Sequence, residues 1–147
     1  MRASRIVPCT LGNMFKATGF EASRGDLVSH PIEPSWVREG QPVARAVTLL
    51  ESPDGLLTTG LWDCTAGKFT WIYGLDEIVH ILEGEVHVDD GKRTHHLVAG
   101  SILYLPHGLE TVWTVPKYVK KMFVMRAPRR GRVRRLASAV KTLLTKR

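Results

Sequence analysis

Glu77 is the acidic residue of this chain best placed to do chemistry. It opens the stretch EIVHILEG, with six residues between it and Gly84, and a second stretch, GSILYLPHG, has five residues between Gly100 and Pro106. Apolar runs of this length between glycine and proline turns read as short strands. A carboxylate on such a strand has three uses. With imidazoles it holds a transition metal and leaves a position open for substrate. Among aromatic rings it is desolvated, and desolvation moves carboxyl groups towards useful acid–base behaviour. Beside Lys121 it makes an ion pair in the wall of the fold, since burying either charge alone is costly. The acid–base and ion-pair readings stand level.

The imidazoles that could join Glu77 at a metal are His80, His87, His95, His96 and His107. His80 is three residues from Glu77, which on a strand is the opposite face. His95 and His96 are adjacent, so one of them at most points inward, and His107 sits in a turn between Pro106 and Gly108. A surface or turn imidazole is the ordinary reading of each. Cys9 and Cys64 are the only cysteines, too few for a disulfide framework or a four-thiolate zinc site. Cys64 reads as a small buried hydrophobe. The glycine and serine turns match neither a phosphate loop nor a nucleophile elbow.

The elements that must position these groups are strands. After the prolines of PIEPSW, which favour an extended lead-in, come VARAVTLL, the SPDG turn at 52–55, GLLTTGLWDC closed by TAG at 65–67, and KFTWIY. IVHIL, EG, EVHV, the DDG turn at 89–91, THHLV, the Ala-Gly turn at 99–100, SILYL, the PHG turn, TVWTV and KKMFVM complete the series. About eight short strands at turn spacings of roughly 8–12 residues predict an all-β sandwich or barrel.

At 147 residues the chain fits one domain with a real core. No stretch is long enough to span a bilayer as a helix, and the N-terminus shows no secretory h-region; a reducing cytoplasm is the expected location. The net charge of +7 is concentrated. Residues 126–147 carry nine of the 21 Lys/Arg and no acid, leaving twelve basic against fourteen acidic residues elsewhere. Within that tail Val133, Leu136, Ala137, Val140, Leu143 and Leu144 recur at helical spacing, which predicts a short amphipathic basic helix. Its uses are packing on the barrel, lying on an anionic membrane surface, or contacting nucleic-acid phosphates. Residues 1–30 show no period and read as an arm with at most one added strand, so the expected division is 1–30 arm, 31–125 barrel and 126–147 tail.

Residues 31–125 resemble the cupin subfamily that includes (S)-ureidoglycine aminohydrolase-like domains. The resemblance rests on PIEPSWVREGQPVARA, on LLTTGLWDCTAGKFTWIYGLDEIVHILEGEVHVDDG and on AGSILYLPHGLETVWTVPKYVKKMFVM. It implies a double-stranded β-helix, the cupin jelly-roll barrel, forming a homodimer through sheet–sheet contacts and holding a small-molecule pocket inside. It implies Glu77 as the carboxylate ligand of a divalent metal (Mn, Fe, Ni or Zn). The two histidines that should precede Glu77 fall on Trp71 and Tyr73, or on Thr70 and Ile72, and the third falls on Thr111. With one ligand slot of four filled, a tightly bound ion is not expected.

Thr111 at an inward cupin position puts Trp113 inward by the period of two. Trp71, Tyr73, Thr111 and Trp113 then line the pocket, Glu77 serves as ligand or general acid/base, and Lys121 is its electrostatic partner. Trp62 reads as barrel filling. The activity implied is that of a small-molecule enzyme acting on a small polar amide, ureido or carboxylate compound. A non-catalytic ligand-binding or sensor cupin is the alternative, and an interaction module working through the basic tail is the third reading.

Overall fold

The computed structural model describes Gly19 and residues 26–128. Among these residues the architecture is all-β, with no α-helix. The strands are β1 (Val28–Ser29), β2 (Val37–Gly40), β3 (Ala44–Glu51), β4 (Leu57–Ile72), β5 (Asp76–Asp89), β6 (Thr94–Val98), β7 (Ile102–Leu105) and β8 (Glu110–Arg126). The expected C-terminal helix and most of the N-terminal arm lie outside the described residues. The strand anticipated in that arm is Val28–Ser29, paired with β3.

All pairings are antiparallel, in the order β1-β3-β4-β8-β5-β6, with β2 on β4 and β7 on β5. Three strands are much longer than their sequence segments predict: β4, β5 and β8 run for 16, 14 and 17 residues. TAG at 65–67 and EG at 83–84 are not turns. They are bends inside continuous strands, where the register against β8 shifts between Thr65 and Gly67 and between Gly84 and His87. A bulge bends a strand and increases its twist without ending it.

These bends divide the ladder into two facing layers. One holds β1, β3, β7 and the segments 57–65, 76–81 and 118–126. The other holds β2, β6 and the segments 67–72, 85–89 and 110–115. Gly84 stands at one corner with φ +74°. A Cβ there would run into the Tyr118 carbonyl, so this position requires glycine on both backbone and packing grounds. The lead-in also departs from expectation, since Pro34–Trp36 form a single 3₁₀ turn between extended residues. Proline is compatible with the first position of such a turn.

The core is the inward face of both layers. Ile81, Val79, Val86, Val88 and Val119 are fully buried, as are Phe69 and Trp113. Along β5 the alternation of buried Glu77, Val79 and Ile81 with more open Ile78 and His80 is the period of two read from the sequence.

Candidate functional site

One inward row of the first layer runs Ala46, Trp62, Lys121, Ile81 across four strands. The facing row of the second layer runs Val37, Phe69, Trp113, Val88. Trp71 is opposite Thr111 in the same second layer. The indoles therefore meet across the barrel interior. Trp62 makes edge contacts with Trp113, Phe69 and Trp71 at centroid distances of 5.9, 6.2 and 6.2 Å, and Phe69 stacks on Trp113 at 15°.

Into this aromatic interior the sequence projects one cation and one anion. Lys121 Nζ donates to Glu77 Oε1 at 2.7 Å, and the two side chains are only 6% and 7% exposed. The ammonium also lies 4.8 Å from the Trp113 ring centre and 5.1 Å from that of Trp62, within range of cation–π attraction. Carboxylate and rings together compensate the desolvation of the ammonium. Of the readings open for Glu77, the geometry shows the pair with Lys121.

A second polar group lies beside the first. Trp113 Nε1 donates to Tyr73 Oη at 3.0 Å and to Thr111 Oγ1 at 3.1 Å, and Thr111 donates to the Trp71 carbonyl at 3.4 Å. Burial, and after it the Glu77 carboxylate, push the Tyr73 phenol far above its ordinary range, so it stays a neutral hydroxyl. A small, partly open cleft of about 10 Å³ is lined by Trp62, Phe69, Trp71, Trp113 and Lys121. Trp62 lies in the barrel core, and its indole N–H is the one buried side-chain polar atom without a hydrogen-bond partner among the described residues.

The residues singled out in the sequence are thus placed together. Glu77, Lys121, Tyr73, Thr111 and Trp113 are buried, and Trp71 is half-buried against the same cluster. Phe69 was not anticipated, although it shares the parity of Trp71 and Tyr73 two and four residues on. Asp63 was also missed. It is buried on the other face of β4 and accepts from Arg45 Nε at 3.0 Å and from the Tyr118 hydroxyl at 3.0 Å. Only a cross-strand register reveals that its partners face it.

The donors around Glu77 do not fit a divalent metal. The carboxylate is taken up by an ammonium, and Trp71, Tyr73 and Thr111 supply no imidazole. Glu77 belongs to no group of three or more His, Cys, Asp or Glu among the described residues. His87 and His96 face each other across β5 and β6 on the outer side, next to the inward-facing Val86, Val88 and Leu97. His80 also stands on the outer face, as its parity requires. The aromatic and ionic groups instead form a small, mainly apolar cleft with one buried charge pair at its wall.

Comparison with known proteins places this architecture. A family model described as the EutQ-like cupin domain matches residues 51–123, about half of the chain. Among solved structures, the chain is similar to the EutQ protein of Clostridium difficile (21% identity over 58% of this chain and 63% of that one, TM-score 0.53). It is similar to a protein described as ethanolamine utilization protein Q of Salmonella typhimurium LT2 (24%, 70% and 95%, TM-score 0.54). It is also similar to a protein of unknown function from Pseudomonas syringae pv. tomato (23%, 69% and 45%, TM-score 0.63). The match thus spans less than two thirds of the Clostridium chain and less than half of the Pseudomonas one. No curated protein matches this chain. At these identities the solved structures speak for the fold alone, and they agree on it. Residues 51–123 match the EutQ-like cupin domain, and the described residues have the cupin fold.

Proposed function

We propose that this protein is a metal-independent small-molecule cupin whose ligand enters the cleft beside Lys121. The observation that carries this reading is the buried Lys121–Glu77 pair set in the wall of an aromatic cleft. Small-ligand sites are mainly apolar with a few fixed polar groups, and this cleft has that composition. A ligand with a carboxylate, amide or ureido oxygen presents an acceptor to Lys121. As it stands the cleft has room for about one water molecule, so a compound of few heavy atoms enters only as the surrounding rings and Lys121 move apart. These are the substrate classes implied by the resemblance to ureidoglycine aminohydrolase-like cupins.

In the catalytic form of this reading, Lys121 polarises the bound carbonyl, water adds to its carbon as Glu77 takes the water proton, and the C–N bond breaks as that proton passes to the leaving nitrogen, which departs as ammonia. Tyr73, neutral and hydrogen-bonded to Trp113, fixes the ring wall. The second reading, a binding or sensor cupin without turnover, is favoured by the non-ligating residues at the metal positions, Thr111 among them. We also propose a homodimer formed through the outer face of the first layer, where Ile78, Ile102 and Tyr104 stand exposed on neighbouring strands.

Titration with acetate, acetamide and N-carbamoylglycine, read by tryptophan fluorescence, tests the site. Saturable quenching by at least one compound, lost in Lys121→Met, is expected. No response to any of the three, or an undiminished response in the folded variant, overturns the proposal. Ammonia release from the amide or ureido compound, abolished in Glu77→Gln, identifies the enzyme; saturable binding without release identifies the sensor.

A further inference from the structure

The outer face of the second layer carries a row that the barrel site does not use. Glu39, Lys68, Thr114, His87 and His96 lie opposite one another across β2, β4, β8, β5 and β6. Glu85 is two residues before His87 on the same face of β5. His87 and His96 stack their rings at 4.4 Å and 12°, and His96 Nε2 is 2.8 Å from Glu85 Oε2. One donor atom from each of these three residues lies within 4.8 Å of the other two.

We propose that Glu85, His87 and His96 form a binding site for a divalent first-row transition ion of the zinc class. Two imidazoles and one carboxylate are a donor set that suits zinc, copper or nickel better than magnesium or calcium. Tetrahedral zinc, with bonds of about 2.0–2.1 Å, brings its donors to about 3.3 Å of one another. Rotation of the Glu85 stem and of the two rings closes the remaining gap, and the backbone stays in place. The strands supply the rest. Five successive residue pairs between β5 and β6 lock His87 opposite His96, so little order has to be gained on binding.

The surroundings permit a cation. Lys68, two strands away in the same row, donates to Glu39 at 2.9 Å, which turns its charge away from the histidines. His96 and Glu85 are each about half exposed, so a fourth ligand position faces solvent. The ion would fasten the edge strand β6 to β5 at a place independent of Glu77 and Lys121.

Zinc chloride added to tag-free, metal-stripped protein tests this by calorimetry. Saturable uptake of one ion per chain is expected, weakened roughly 100-fold or more in His87→Ala and in His96→Ala, and retained in His95→Ala, whose side chain is on the opposite face. Absence of saturable uptake by the wild type, or undiminished uptake in either of the first two variants, overturns the site. Should a variant not fold, imidazole NMR of the wild type decides. Zinc that shifts the His87 and His96 rings and leaves His95 in place supports the site, and zinc that leaves His87 and His96 unmoved refutes it.

Discussion

Lys121 and Glu77 are hydrogen-bonded, yet they are not opposite each other in the ladder. Lys121 pairs with Ile81 and Glu77 with Met125, an offset of four residues, or roughly 13 Å of strand. The two side chains therefore bridge this offset by reaching along the strand direction towards each other. The ammonium at the end of the lysine lies over both the Trp62 and Trp113 rings.

Because the pair is buried, removing one partner should cost far more than removing both. Lys121→Met and Glu77→Gln are each expected to lower stability by about 3–5 kcal/mol, since each leaves the other group without its partner. The double variant Glu77→Leu/Lys121→Met is expected to lose less than the sum of the two. Urea denaturation of all the forms gives the coupling.

Gly84 offers a sharper test of the fold. Its φ of +74° and the Tyr118 carbonyl behind it both oppose a side chain, whereas Gly91, at φ +84°, faces open space. Gly84→Ala should destabilise by at least about 1–3 kcal/mol from backbone strain alone, and by clearly more than Gly91→Ala. Thermal melts of the two variants measure the difference.

Stability should fall on the alkaline side. Burial, and then Asp63, push the Cys64 thiol up to about 12; burial, and then the hydrogen bond to Asp63, push the Tyr118 phenol up to about 12. Tyr73 is displaced in the same direction. Above about pH 9 the unfolded chain loses protons that the native state retains, so stability declines with rising pH until these groups ionise in the fold. Denaturation midpoints between pH 8 and 12 should show the decline, and Cys64→Ala should flatten its first part.

The outer face of the first layer gives a prediction about assembly. Ile102 and Tyr104 are 67% and 58% exposed, and charge placed there cannot be buried between two copies. Ile102→Lys and Tyr104→Lys should convert a dimer to a monomer in light scattering while leaving the β-sheet circular dichroism unchanged.

Much of the site was legible because it depends on parity. With Thr111 set inward by the cupin resemblance, a period of two turned Trp113 inward, parity turned His80 outward, and the cost of burying a lone charge made Lys121 one of the partners open to Glu77. What escaped depends on register. TAG and EG carry turn residues, but a turn and a bulge use the same glycines, and only pairing with β8 distinguishes them. The His87–His96 pair follows from the hairpin at 89–94 once Asp89 is set opposite Thr94. Asp63 gave no local sign of its distant partners Arg45 and Tyr118.

The seventeen-residue β8 lies between β4 and β5 and is bonded to both along its length. It is also the last of the eight strands to be synthesised. Until it emerges from the ribosome, β4 and β5 have no central neighbour, Glu77 has no ammonium, and Trp62 and Phe69 have no Trp113 to cover them. Barrel closure therefore waits on long-range pairings that form late, and folding should be slow for a domain of this size. During that interval two long apolar strands have open edges, so the nascent chain depends on protection from its neighbours.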